Sequence, residues 1–341
     1  KFYYDNGPST SRDDAVFPCL EQSLDILNAV MNQDSSSLND DKKDYLLQEL
    51  FNTERNLAQV AMNRRQFDLS EGHCERCLAY SKRGLNTEDK ISPIFAALQT
   101  YCNLRERQGN LSDAVNYAEE GYNLVVEAYD PVHPQVQEAA SVLINILIVK
   151  RDLYDAGRFA QVTYENLRDK KNGMNQEGEE MAGGAHNLAD VIYRQRGDLA
   201  RAEELARKAL RIRTLISGNN QNNVAVSCLV LANILMVQGK LGDETRMLFE
   251  KTLKTFVREG GLGGINTAIG NMSIAVYYQH LAEVQTTVES KRTQLLLAKS
   301  YFEEAMQIQS NRYGPTHPET IQVYLRWDIV VKELDRPIYS F

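Results

Sequence analysis

Five times along this chain a turn residue is followed two positions later by Leu or Phe, and then by small or apolar residues at a fixed spacing. The clearest copy is Gly197-Asp198-Leu199, then Ala202, Ala206, Ala209 and Leu210. Others are Gly109-Asn110-Leu111 with Ala114, Ala118 and Gly121; Arg151-Asp152-Leu153 with Ala156, Ala160 and Thr163; and Arg65-Gln66-Phe67 with Ser70, Cys74 and Cys77. Gly239-Lys240-Leu241 leads to Thr245, Phe249 and Thr252 with one extra turn residue, and a sixth copy keeps only Ala298, Phe302, Ala305 and Met306. The first small position recurs at Ser70, Ala114, Ala156, Ala202, Thr245 and Ala298, at intervals of 44, 42, 46, 43 and 53 residues. Steps of four and three keep the small residues on one helix face. A turn ahead of them reverses the chain between antiparallel helices, and the small side chains let the preceding helix approach closely. The period thus predicts stacked helix pairs.

Apolar-periodic first helices precede the turns at 46–63, 94–108, 135–150, 179–196, 223–238 and 265–281, with no strand alternation between them. The reading is all-α: an α-solenoid of about six helix pairs. Residues 1–43 form an N-terminal tail and capping helix, 44–318 the repeat array, and 319–341 a C-terminal capping helix and aromatic tail. Terminal helices are needed because an end face has no neighbour to bury it. The polar stretch 283–293 reads as a longer loop between helices.

Composition narrows the function. A net charge of -8 with no Lys/Arg run disfavours nucleic acid, which needs a basic stripe. Five cysteines at irregular spacing make no disulfide framework and favour a reducing compartment, cytoplasm or organelle interior. No apolar run is long enough to span a membrane, so membrane association would be peripheral, through a partner. Residue 1 is Lys rather than Met, which is compatible with a cleaved targeting segment.

The Gly-x-(Leu/Phe)-x-x-Ala-x-x-x-Ala-x-x-Ala-Leu run resembles the second half of a tetratricopeptide repeat. Its 42-residue spacing resembles the extended repeats of kinesin light chains and their relatives. The segments Tyr129-Asp130-Pro131-Val132-His133-Pro134 and Tyr313-Gly314-Pro315-Thr316-His317-Pro318 are similar to the inter-repeat loop of that subgroup, with Pro opening the next helix. The resemblance covers residues 44–334 and implies a right-handed superhelix whose first helices line a concave groove. The repeat type is taken from this family, and the motor-cargo role is not.

Little in the chain suggests chemistry. Cys74 and Cys77, with His73 beside them, have the spacing of a zinc or redox pair, but no second ligand pair exists and both fall on small-residue positions, which favours core packing. His133 and His317 belong to the His-Pro loops and read as caps, while His186 and His280 are isolated. Gly260-Gly261-Leu262-Gly263-Gly264 follows a helix and lacks the strand and Lys of a phosphate cradle, so it reads as an inter-repeat loop. The chain is read as a non-enzyme with no cofactor or metal.

The asparagines carry the functional expectation. Asn103, Asn145 and Asn233 lie six residues before the turn residue on successive first helices, and Asn187 is a fourth member with one residue of slippage. A carboxamide both donates and accepts, so a row of them could grip a peptide backbone without reading its side chains. The competing role is bonding between adjacent helices. Gln99, Arg107, Ser141, Arg194 and Gln195 complete the expected groove lining, with Ile148 and Met236 nearby. Phe2, Tyr3, Tyr4, Tyr339 and Phe341 make both ends aromatic and suit them to docking on the body or on a partner. The expected activity is a protein–protein scaffold binding a peptide segment or partner subunit. The alternative is an assembly subunit of a larger complex, touching partners through its convex face, loops and tails.

Overall fold

The computed structural model describes residues 9–33, 40–83, 90–169, 178–217 and 221–336. Among them are fourteen α-helices and no strand. A leading helix α1 (Ser9–Gln33) is followed by six pairs. These are α2 (Asp40–Asn63) with α3 (Phe67–Lys82), α4 (Ile91–Arg107) with α5 (Leu111–Ala128), and α6 (Pro134–Lys150) with α7 (Leu153–Asp169). Then come α8 (Glu179–Arg194) with α9 (Leu199–Ser217), α10 (Gln221–Val237) with α11 (Asp243–Gly260), and α12 (Ile265–Glu283) with α13 (Val288–Tyr313). A last helix, α14 (Pro318–Leu334), packs on α13. The chain divides into two compact units, Ser9–Asn172 and Gly173–Phe341. Within each, every helix packs on the next, and consecutive first helices also touch: α2 with α4, α4 with α6, α8 with α10 and α10 with α12.

The small-residue rule has a direct physical basis. Ser70, Ala114, Ala156, Ala202, Thr245 and Ala298 are all buried against a neighbouring helix. A Cβ at Gly121 would come within 3.1 Å of the Phe95 ring. Two of the polar small residues bond back to the first helix: Ser70 Oγ donates to the Ala58 carbonyl at 2.9 Å, and Thr252 Oγ1 to the Ala225 carbonyl at 3.1 Å.

Five of the hairpins share one turn. Arg65, Gly109, Arg151, Arg196 and Gly239 adopt positive φ, between 54° and 79°. Each donates its N–H to the carbonyl three residues back, and the following residue reaches five back, as Arg151 does to Ile148 and Asp152 to Leu147. This is the Schellman arrangement, which satisfies the last carbonyls of the first helix. The left-handed residue of the fourth pair is therefore Arg196, one before Gly197, and that turn holds one extra residue.

The stretch 283–293 corrects the sequence reading. It is not a long loop: the chain turns at 284–287 and α13 starts at Val288, capped by Thr287 Oγ1, which accepts from Ser290 N at 3.2 Å. The extra length went into a 26-residue helix, because 288–293 has good helix formers and a capping Thr. The glycine segment after α11 is a short connection, and a Cβ at Gly264 would lie 2.7 Å from the Gly260 carbonyl oxygen.

Candidate functional site

The shared turn supplies a structural register for the first helices. Six residues before each left-handed residue stand Gln59, Asn103, Asn145, Asp190 and Asn233. Gln59 escapes the asparagine pattern because it is not Asn, and Asp190 because the sequence places the fourth turn at Gly197. Asn187 stands nine residues before Arg196, off this register.

Burial separates the two units. In Ser9–Asn172, Asn145 is exposed and Gln59 and Asn103 are half-buried. Gln99 and Ser141, one turn earlier on α4 and α6, are half-buried as well, as are Arg107 and Ile148. Gln59 Nε2 donates within its own helix, to Asn63 Oδ1 at 3.3 Å. In Gly173–Phe341 the matching positions are closed in. Asp190 and Asn233 keep 9% and 8% of their surface, Asn187, off the register, keeps 7%, and Met236 and Leu229 are buried beside Asn233. Helix α10 is apolar almost all round, as a helix enclosed on every side must be. Asp190 pairs with Arg194 through Nε at 2.9 Å, so Arg194 is held by its own helix, and Gln195 is exposed beyond it. The aromatic ends, Phe2, Tyr3, Tyr4, Tyr339 and Phe341, lie outside the described residues.

The cysteine pair is core. Cys74 and Cys77 have no exposed surface, and burial pushes both thiols up to about 12, so neither is a thiolate near neutrality. Their neighbour His73 belongs to a cluster invisible to local pattern. Its Nδ1 lies 2.6 Å from Oε2 of the buried Glu54, whose Oε1 accepts from Arg76 Nε at 2.6 Å. This ties α2 to α3. A second cross-link ties three helices of the other unit: Arg213 donates to Glu179 at 2.9 Å, to Ser227 Oγ at 2.9 Å and to the Asn223 carbonyl at 3.3 Å. Among the described residues no group of three His, Cys, Asp or Glu is placed to hold a metal ion, and no helix is long and apolar enough to cross a membrane.

Helix pairs closed by a common turn, with small residues at their contacts, define a tetratricopeptide-like α-solenoid. The tetratricopeptide repeat model matches residues 184–222, which run from within α8 through α9 to the start of α10. Similar solved structures include BtubC (BKLC) from P. vanneervenii, 14% identical with a TM-score of 0.55 over 73% of this chain and 92% of that one. A Rap protein complexed with competence and sporulation factor is 14% identical, with a TM-score of 0.50 over 91% of this chain and 80% of that one. The nearly identical TPR-like repeats of a Podosopora anserina putative kinesin light chain are 14% identical, with a TM-score of 0.45 over 66% of this chain and 98% of that one. No curated protein matches the sequence.

Proposed function

We propose that the chain is a non-catalytic scaffold that holds an extended segment of a partner protein on the open first-helix face of α2, α4 and α6. The observation that carries this reading is the contrast in exposure at one matched position. Asn145 and Asn103 are reachable, whereas Asp190 and Asn233 are enclosed. Gln99 and Arg107 flank the reachable pair, while Arg194 stays with Asp190. The similarity to a Rap protein solved with competence and sporulation factor supports a role in binding. The test compares partners retained from the source cell by the wild-type chain, by Asn103→Ala/Asn145→Ala, and by Asn233→Ala. Partners kept by wild type and Asn233→Ala but lost by the double variant are expected. An identical set on all three would remove the reading.

A second reading is an assembly subunit. It is favoured by α14, which exposes Ile321, Tyr324, Leu325 and Ile329 together. Ile321 and Tyr324 match Gln137 and Ala140 of α6, also opened by His-Pro, and those two are buried in a complete pair. Leu325→Glu/Ile329→Glu would then abolish incorporation into the complex, as would deleting 1–8 and 336–341 if the aromatic tails share in it, while Asn103→Ala/Asn145→Ala would not.

A further inference from the structure

We infer that the occupant of the α2/α4/α6 face is a segment of about seven residues in the polyproline II conformation, met at every third residue by Gln59, Asn103 and Asn145. This rests on the reading that the face holds an extended segment, and it adds which backbone shape fits.

The three carboxamides share one register, six residues before Arg65, Gly109 and Arg151 in identical turns. Their helices pack directly side by side, α2 on α4 and α4 on α6. Neighbouring members of the row are therefore one helix spacing apart, about 8–10 Å. A ligand gripped by all three must present the same backbone face at that interval. A β-strand repeats its face about every 6.6 Å and falls out of step after one contact. An α-helix has its backbone groups already bonded to each other. Polyproline II has three residues per turn at 3.1 Å each, a repeat of about 9.3 Å, with no internal hydrogen bonds.

The residue chemistry agrees. A carboxamide N–H₂ donates to a backbone carbonyl, which proline retains, so proline at a contacted position costs nothing. No bond from Asn103 or Asn145 to another helix is seen among the described residues, and Gln59 bonds only within its own helix, to Asn63. One turn before Gln59 stands Arg55, exposed and without an ion pair among the described residues. It gives the α2 end of the row a positive charge and favours an acidic residue at that end of the ligand. A preformed polyproline II segment also loses little entropy on binding, which suits a grip made of a few bonds.

The test is a displayed random nonapeptide library selected on the full chain and counter-selected on Gln59→Ala/Asn103→Ala/Asn145→Ala, with helicity of the variant confirmed by circular dichroism. Row-dependent clones are expected to carry proline at three-residue intervals with an acidic residue at one end. Synthetic copies should bind the wild type at least about tenfold more tightly than the triple variant, a difference of about 1.4 kcal/mol. They should lose affinity on Arg55→Glu. Row-dependent clones that alternate β-branched residues without a proline period would overturn the polyproline II inference and leave the binding face standing. Clones indifferent to the row, or no clones, would sink both.

Discussion

His133 and His317 show how much one atom decides. Each sits in extended backbone just before a helix-opening proline, and its Nδ1 accepts the N–H two residues on, at 3.3 Å from Gln135 and 3.2 Å from Glu319. The rings stack on Tyr129 and Tyr313 at 4.3 and 4.6 Å, which explains why the Tyr and the His-Pro travel together in both loops. His186, inside α8, is the opposite case. Its Nδ1 is buried, and burial together with Arg213 and Arg194 pushes its pKa down to about 3. The unfolded chain takes up this proton near pH 6.5 and the folded chain only near 3. His186 therefore leaves stability intact above about 6.5 and lowers it progressively as the pH falls toward 3. Melting temperatures measured from pH 7.5 to 4 are expected to fall less steeply for His186→Gln than for wild type; parallel curves would show that this residue does not set the acid limb.

At the scale of elements, the repeated object is the closed hairpin rather than the helix. Its Schellman turn asks for a left-handed residue, yet three of the five positions hold arginine. A side chain there costs about 1–2 kcal/mol relative to an unstrained backbone. Arg151→Gly, at φ 70°, should therefore raise stability by about 1 kcal/mol, read as a higher urea midpoint, after the flexibility glycine adds to the unfolded chain is deducted. A lowered midpoint would mean that the arginine side chain earns its place through contacts of its own. With glycine at only two of the five sites, the sequence places the fourth turn at Gly197, one residue beyond the left-handed Arg196.

At the scale of the whole molecule, the sole tryptophan, Trp327, lies in the second unit, packed beside Tyr324 and donating to Glu303 at 3.2 Å. The Glu54–His73–Arg76 cluster lies in the first. Removing Glu54 takes away the buried partner of His73, while Arg76, with 47% of its side chain exposed, can turn to water, so the cost is about 1–3 kcal/mol. Glu54→Ala is thus expected to move the loss of helical circular dichroism to lower urea while the Trp327 fluorescence transition stays in place. If both signals moved together, the two units would unfold as one.

The sequence alone determined the architecture. Small residues at steps of four and three, repeated every 42 to 46 residues, admit only close-packed helix pairs, and the starts of most first helices follow from where the apolar period resumes. It also marked Asn103 and Asn145, because equal spacing from a turn is a property of the chain. Tertiary structure decided which members of that row are available. Asn233 and Asn145 have nearly the same local sequence, yet one is enclosed around α10 and the other is open on α6, since burial depends on what packs across a helix and not on its own residues. The same holds for Glu54 and His73, nineteen residues apart and joined at 2.6 Å only by the pairing of α2 with α3.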